Sequence, residues 1–225
     1  MMRMNVDETL IEDIRLTDLC FRSGSSFGTQ VEELLNRIIA VFLLLLLAPI
    51  MVFITLAVRH DSPGPAFYRQ KRNGLHGSVF LIIKFRTMLI EACDDGTGQV
   101  RQVIRGDGRI TRVGRFLRRS SLDELPQLIN VLRGEMNLVG PRPHAVSHNL
   151  YYDNIISKYS LRHTVKPGLT GLAQIKGLRG ETPNLVDMRS RVAYDLYYIA
   201  NKSFENDVKI ILLTVVLIFF QQNAR

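Results

Sequence analysis

Apolar positions along this chain form one long unbroken block and a series of shorter periodic stretches. The block runs from Ile38 to Val58, carries no charge, and has only Thr55 as a clearly polar member. A run that long and that apolar suits a membrane segment. Ahead of it Val31, Leu34, Leu35 and Ile38 recur at helical spacing, so an amphipathic helix leads straight into the block. Pro49 interrupts it near its middle. A proline inside a helix removes one backbone hydrogen bond and clashes with the preceding turn, which predicts a kink there.

Two membrane geometries compete. A straight helix would reach roughly 30 Å and cross the bilayer, whereas a bent one would send two arms of about 16 Å into one leaflet and return both ends to the same face. Arg37 precedes the block, and Arg59 and His60 follow it. Basic residues mark the cytosolic side of a membrane segment, so the re-entrant arrangement is favoured. A cleaved signal peptide fits poorly, because the block starts late and follows Asp7, Glu8, Glu12, Asp13 and Asp18 instead of a basic leader.

Beyond the block, Asp61-Ser62-Pro63-Gly64-Pro65 is a turn-rich exit. Ala66 to Tyr68 and Val79 to Phe85 read as strands of a β-hairpin around Asn73-Gly74. Residues 91–108 suit a surface loop, and Arg109 to Arg119 is strongly basic. Leu122 to Leu132 is helical by pattern, with Leu125, Leu128, Ile129 and Leu132 on one face. Further helices are expected near Asn149 to Tyr159, from Leu185 to Ile199 and from Phe204 to Phe220, with a turn-rich run from Lys166 to Gly180. The apolar end of the last, Ile210 to Phe220, is too short to span a bilayer and is either a core helix or one lying in the membrane interface, the second being favoured. The fold class is therefore α+β, mainly helical with a small hairpin or sheet. Three regions are expected: a surface-lying lead-in over 1–30, the amphipathic lead and membrane helix over 31–60, and a membrane-associated catalytic domain over 61–225.

Composition narrows the partners. The net charge of +8 favours polyanions, which include nucleic acid, anionic lipid and phosphorylated substrates. The chain has no tryptophan and no nucleic-acid-binding signature, so nucleic acid is not expected. Cys20 and Cys93 lack metal-site or disulfide spacing. His144, His148 and His163 lack the one-turn spacing of a metal site.

The densest chemistry is Ser120-Ser121-Leu122-Asp123-Glu124-Leu125-Pro126-Gln127, where two acids meet a helix start. The helix dipole would favour their ionised forms. A plain N-terminal cap is the competing reading, since Ser121 and Glu124 fit a capping box. Arg109, Arg112, Arg115, Arg118, Arg119, Arg133 and Arg142 flank the pair, and guanidinium suits bidentate binding of phosphate oxygens. Carboxylates beside such a cluster are what magnesium-assisted phosphoryl transfer needs. For Arg109, Arg115 and Arg119 a basic face turned to solvent or anionic lipid is the plainer reading. Lys84-Phe85-Arg86-Thr87-Met88 closes a strand with two cations, and Gly140-Pro141-Arg142-Pro143 holds an arginine on a stiff loop.

Taken together these motifs resemble the bacterial sugar transferases, the monotopic phosphoglycosyl transferases. The resemblance extends from about Val31 to the C-terminus. Its pieces are the proline-broken block, SPGPAFY at Ser62 to Tyr68, KFRTM at Lys84 to Met88, RRSSLDELPQLINVLRGEMNLVGPRP at Arg118 to Pro143, and VKPGLTGLAQIKGLRGET at Val165 to Thr182. The resemblance implies a ping-pong transfer of a sugar-1-phosphate from a UDP-sugar to undecaprenyl phosphate, with Asp123 as nucleophile and UMP released. It implies Asp123 and Glu124 close to Mg2+, and Lys84, Arg118 and Arg142 on phosphates, with Arg86 and Pro141 as further substrate contacts in the same motifs. A catalytic domain on the cytosolic face of the bacterial inner membrane follows, with membrane lipid as a partner and a homo-oligomer left open. Gly177 to Thr182, with Arg191 to Ile199, resembles members that transfer glucose-1-phosphate to begin exopolysaccharide repeats. Arg191 and Asp195, one helical turn apart, are secondary site candidates or an ordinary intrahelical ion pair. Ala48 stands where some relatives have serine, and Lys202 where an aromatic is typical. The larger relatives carry spanning helices and a further domain ahead of this unit, and the chain resembles their catalytic module.

Overall fold

The computed structural model describes residues 26–93, 106–180 and 184–220. The lead-in up to residue 25, most of the 91–108 loop, and Glu181 and Thr182 lie outside the described residues. The apolar block is the middle of α1, Ser26–Asp61, which remains helical through Pro49. One stripe of α1 faces the protein: Ala40, Leu43, Leu44 and Leu47 join the main core, and Met51, Ile54 and Val58 join a second cluster with Ala66, Phe85 and Leu117. The positions 40, 44, 47, 51, 54 and 58 alternate steps of four and three, the spacing of a single helix face. Away from that stripe, Phe42, Leu45 and Phe53 are 63%, 72% and 71% exposed. Only 11% of the most apolar window of α1 is buried. An apolar surface of this extent left outside the core is what a membrane covers.

Both ends of α1 are bonded to the same body. At its start Glu32 accepts from Lys202 Nζ at 2.7 and 2.8 Å and from Asn137 Nδ2 at 2.8 Å, and Asn36 Oδ1 accepts from the Leu138 N–H at 2.7 Å. At its end Asp61 Oδ2 accepts from the Val113 N–H at 2.9 Å. Lys202 therefore ties the C-terminal region to the first turns of α1.

The expected hairpin is present and longer than expected on its first strand. β1, Phe67–Asn73, pairs antiparallel with β2, Val79–Phe85, from Phe67 opposite Phe85 to Asn73 opposite Val79. The connection is a 3-10 turn, Leu75–Gly77, with His76 at φ 52°. The open edge of β2 is completed by a side chain. Asn130 Oδ1 accepts from the Ile83 N–H at 3.0 Å and its Nδ2 donates to the Leu81 carbonyl at 2.7 Å, so an amide supplies strand-like pairing. After the hairpin come α2, Arg112–Ser120, a 3-10 turn, Leu122–Glu124, and α3, Gln127–Leu132. The single helix expected over Leu122 to Leu132 is thus divided, with Pro126 at the start of its α-helical half. Gly114 lets α2 cross the chain after β2 at contact distance: a Cβ there would lie 2.1 Å from the Thr87 carbonyl oxygen.

β3, Asn137–Val139, pairs parallel with β4, Gly168–Thr170, across α4, Val146–Asp153, and a 3-10 turn, Tyr159–Thr164. These two short strands were hidden in stretches that read as loops. α5, Leu172–Ile175, leads to α6, Leu185–Ala200, whose Met188, Val192, Leu196 and Ile199 are buried in the main core. α7, Phe204–Phe220, packs one side on the body and leaves apolar residues of another side exposed. Ile210 is buried and the Thr214 hydroxyl meets that of Thr170 at 2.7 Å, while Leu212, Leu213, Val215 and Val216 are exposed.

The 3-10 turn and α6 are joined by an ion pair away from water. Arg162 Nε donates to Asp195 Oδ2 at 2.8 Å, with both side chains 2% exposed, and the guanidinium lies 5.1 Å from the centre of the Tyr159 ring. Burial pushes the Asp195 carboxyl up, against the pull of Arg162. Removing one partner leaves the other as an uncompensated buried charge, which costs about 3–5 kcal/mol. Arg162→Met and Asp195→Leu should each cost that much in urea denaturation of the detergent-solubilised protein. The double variant should lose much less than the sum; strict additivity would show that the two do not act as a pair.

Candidate active site

Glu124 is brought to its place by a sharp reversal. Ser120 ends α2, Ser121 adopts a left-handed conformation at φ 61°, and the 3-10 turn places Asp123 and Glu124 before α3. The capping box suggested by Ser121 and Glu124 does not form: the Ser121 side chain makes no cap bond, and the Glu124 carboxylate points to cations. Three of them surround it. Lys84 Nζ, from the end of β2, donates to Oε1 at 2.8 Å. Arg179, beyond α5, donates to Oε2 at 2.6 Å, and Arg142, from the loop after β3, reaches both oxygens, Oε2 at 3.2 Å. Glu124 is 5% exposed. Burial pushes its carboxyl up, but Arg142, Lys84 and Arg179 outweigh that and hold it well below the ordinary carboxylate range.

Asp123 has the opposite fate. It is partly exposed, and burial followed by the charge of Glu124 pushes its carboxyl up to about 6, against the pull of Lys84, Arg118 and Arg179. The expectation that the helix end stabilises both acids as ions is therefore not what sets them: Glu124 is held ionised by its three cations, and Asp123 is shifted the other way. With six residues in α3, the dipole is too weak to offset a neighbouring carboxylate. Lys84, lowered to about 8 chiefly by burial, is still charged at neutral pH. The arrangement is a permanently ionised glutamate that neutralises a basic cage, beside an aspartate whose more basic carboxylate is partly open to solvent.

The loop bearing Arg142 is fixed from behind. Arg162 donates to the carbonyl of Arg142 at 2.7 Å, and Arg72 donates to that of Pro143 at 3.0 Å. Gly140 and Gly168 permit the loop to lie on the β4 segment, since a Cβ on Gly168 would stand 2.0 Å from Gly140 N. Pro141 is buried and its carbonyl accepts from the Gly168 N–H at 3.0 Å, which ties the loop to β4. Arg118 reaches towards the site from α2 and donates to Thr87 Oγ1 at 3.4 Å.

Other sequence candidates are placed elsewhere. Arg86 is 2% exposed and donates to the carbonyls of Ser62, at 2.7 Å, and Pro63, so it ties the membrane exit to the end of β2 and does not face the carboxylates. Asp195 takes Arg162 as its partner in place of an intrahelical bond to Arg191. Arg191 instead donates to the Gly180 carbonyl at 2.7 Å and lies 3.4 Å from His144 Nε2, so it braces the segment that delivers Arg179. Burial and the neighbouring Arg162 and Arg191 keep His144 well below its ordinary range, hence neutral. Arg179 and Arg162 were missed as site residues. The glycines on either side of the Leu178-Arg179 pair were the one local hint for the first, and nothing in sequence marked the second.

A divalent cation fits Asp123 better than Glu124. Among the described residues no three His, Cys, Asp or Glu side chains form a cluster, and three cations occupy the Glu124 oxygens. Magnesium bound to phosphorylated substrates needs only one or two carboxylates, with phosphates and water completing its shell.

The sequence was also compared with known proteins. Residues 27–221 match the family model described as bacterial sugar transferase. A protein of Xanthomonas campestris pv. campestris named UDP-glucose:undecaprenyl-phosphate glucose-1-phosphate transferase is 51% identical over 199 residues, 88% of this chain and 41% of that protein. One of the same name from Caulobacter vibrioides is 49% identical over 210 residues, 92% of this chain and 78% of its own length. The exopolysaccharide production protein PSS of Rhizobium leguminosarum bv. phaseoli is 46% identical over 176 residues, covering 77% and 87% of the two chains. This chain thus spans about two fifths of the Xanthomonas relative and most of the other two. A basic cage around paired carboxylates, on a body docked to one long apolar helix, together with these matches, shows that the chain belongs to the bacterial sugar transferase family.

Proposed function

We propose that the chain is a phosphoglycosyl transferase that moves glucose-1-phosphate from UDP-glucose to undecaprenyl phosphate and releases UMP, beginning exopolysaccharide synthesis. The observation that carries this reading is the division of labour between Glu124, locked by Lys84, Arg142 and Arg179, and the partly exposed Asp123 beside it. The names of the relatives supply the donor and acceptor.

In this reading a carboxylate oxygen of Asp123 attacks the phosphorus attached to the sugar. The bond from that phosphorus to the bridging oxygen breaks, and UMP departs with its electron pair. A phosphate oxygen of the lipid carrier then attacks the same phosphorus, and the acyl phosphate bond breaks to return the Asp123 carboxylate. Two easier steps replace one difficult transfer. Lys84, Arg118, Arg142 and Arg179 would hold phosphate oxygens, with Glu124 keeping the cage ordered between substrates. Mg2+, held through Asp123 and the diphosphate, would supply further charge neutralisation.

We further propose that α1 bends at Pro49 within one leaflet, so that both ends and the catalytic body share the cytosolic face of the bacterial inner membrane. The bonds of Glu32 and Asn36 at one end and of Asp61 at the other to the same polar body support this. With Cys20 and Cys93 replaced by serine, single cysteines at Glu8 and Arg59 should both resist impermeant labelling from outside intact cells. Labelling at Glu8 alone would establish a spanning helix.

Asp123→Asn should abolish UMP release, and Glu124→Gln should be severely impaired. Mass spectrometry of enzyme quenched with UDP-glucose and Mg2+ before acceptor is added should find the sugar-phosphate mass on Asp123. Because Asp123 must be ionised and Lys84 protonated, turnover should rise with pH through about 6 and fall above about 8. An adduct on Glu124, or full turnover by Asp123→Asn, would overturn the mechanism.

A further inference from the structure

His144 follows Arg142 by two residues on the stiff loop, and the transfer chemistry does not use it. Its ring is buried between two buried arginines. Nδ1 lies 2.6 Å from the Tyr159 hydroxyl and 3.1 Å from Arg162 Nη1, and Nε2 lies 3.4 Å from Arg191 Nη1. The Tyr159 hydroxyl donates its proton to Asn149 Oδ1 at 2.8 Å, so it offers the ring a lone pair and Nδ1 carries the ring proton. Nε2 is then the acceptor, and it faces Arg191.

Each of these two arginines holds main chain beside an arm of the cage. Arg162 donates to the carbonyl of Arg142 itself, and Arg191 donates to that of Gly180, next to Arg179. They are not equally anchored. Arg162 has Asp195 as its counter-ion at 2.8 Å, whereas Arg191 forms no ion pair among the described residues and its buried Nε has no partner there. Burial, followed by the charge of Arg142, lowers Arg191 to about 10, so it remains a cation at neutral pH. Its acceptors are the Gly180 carbonyl and His144 Nε2. Removing one of so few leaves a buried donor unsatisfied, which costs more than an average hydrogen bond contributes. An apolar ring at 144 would fill the same space and offer Arg191 nothing.

We infer that His144 is a positioning residue of the transferase site: through Nε2 it holds Arg191 against the Gly180 carbonyl, and so fixes where Arg179 stands beside Glu124. This rests on the reading of Arg179 as a phosphate-holding residue of a UDP-glucose transferase. The loop that carries Arg142 thereby sets the place of the other arm as well. Arg142 and Arg179 meet on the same Glu124 carboxylate, and His144 keeps the segments behind them in register.

UMP release from UDP-glucose by the full chain in detergent, with Mg2+ and undecaprenyl phosphate, gives the test. Asparagine at 144 can meet Tyr159 but is too short to reach Arg191, whereas the amide of glutamine reaches the place of Nε2. His144→Asn should lower kcat/KM about tenfold, the scale of one lost hydrogen bond to a charged group, and His144→Gln should stay within about threefold of the parent chain. In an R179Q background His144→Asn should have no further effect, because the arm it positions is gone. Arg191→Gln, alone and with R179Q, should repeat that pattern, and it decides the matter if His144→Asn does not accumulate as folded protein. Equal losses in the asparagine and glutamine variants, or losses that add in full to that of R179Q, overturn the inference and leave the transferase reading intact. A parent chain that releases no UMP would remove the transferase reading and the inference together.

Discussion

Glu124 is where three separate stretches of chain are made to meet. Its carboxylate is almost closed to water, and an ion in that position is stable only when cations and hydrogen-bond donors surround it. Lys84 comes from the hairpin, Arg142 from the loop after β3 and Arg179 from beyond α5. The hairpin, the β3–β4 pair and the segment before α6 are positioned relative to one another partly by this one group. The cage also stays occupied between substrates, so the basic side chains do not repel one another while no phosphate is bound.

The same ion divides the work between two adjacent acids. A negative charge held permanently at Glu124 raises the proton affinity of Asp123, and burial adds to that rise. A carboxylate so placed is a stronger base, and hence a stronger nucleophile, than an ordinary surface aspartate, yet it remains ionised at neutral pH. The cations around the pair prevent the shift from going further. The tuning comes from the cage, with little help from the short α3.

Around this centre the fold uses braces instead of further chemistry. Arg162 holds the Arg142 carbonyl and pairs with Asp195, Arg191 holds the Gly180 carbonyl beside Arg179, and Arg86 holds the carbonyls of Ser62 and Pro63 at the membrane exit. Each of these arginines is buried, and each fixes main chain next to a functional segment. α1 is part of the same construction. One stripe of it packs on both cores, and polar bonds at both ends leave its exposed apolar side as the surface that faces away from the body.

By itself the sequence determined the features whose cause is local. The apolar block around Pro49, the hairpin strand Val79 to Phe85, α6, α7 and the concentration of charge at the Asp123-Glu124 segment were legible because periodicity and charge density act over a few residues. Tertiary structure alone decided which arginines gather at Glu124 and which hold main chain, since the bonds concerned join residues far apart: Arg162 and Asp195 are separated by 33 positions and Arg179 and Glu124 by 55. No local pattern encodes such a pairing. The split between Asp123 and Glu124 was hidden for the same reason, because neighbours in sequence share a helix end while the hydrogen bonds from Lys84, Arg142 and Arg179 all go to Glu124. The β3–β4 pair escaped notice because strands of three residues leave no periodicity to read, and their pairing depends on Gly140 and Gly168 approaching closely in space.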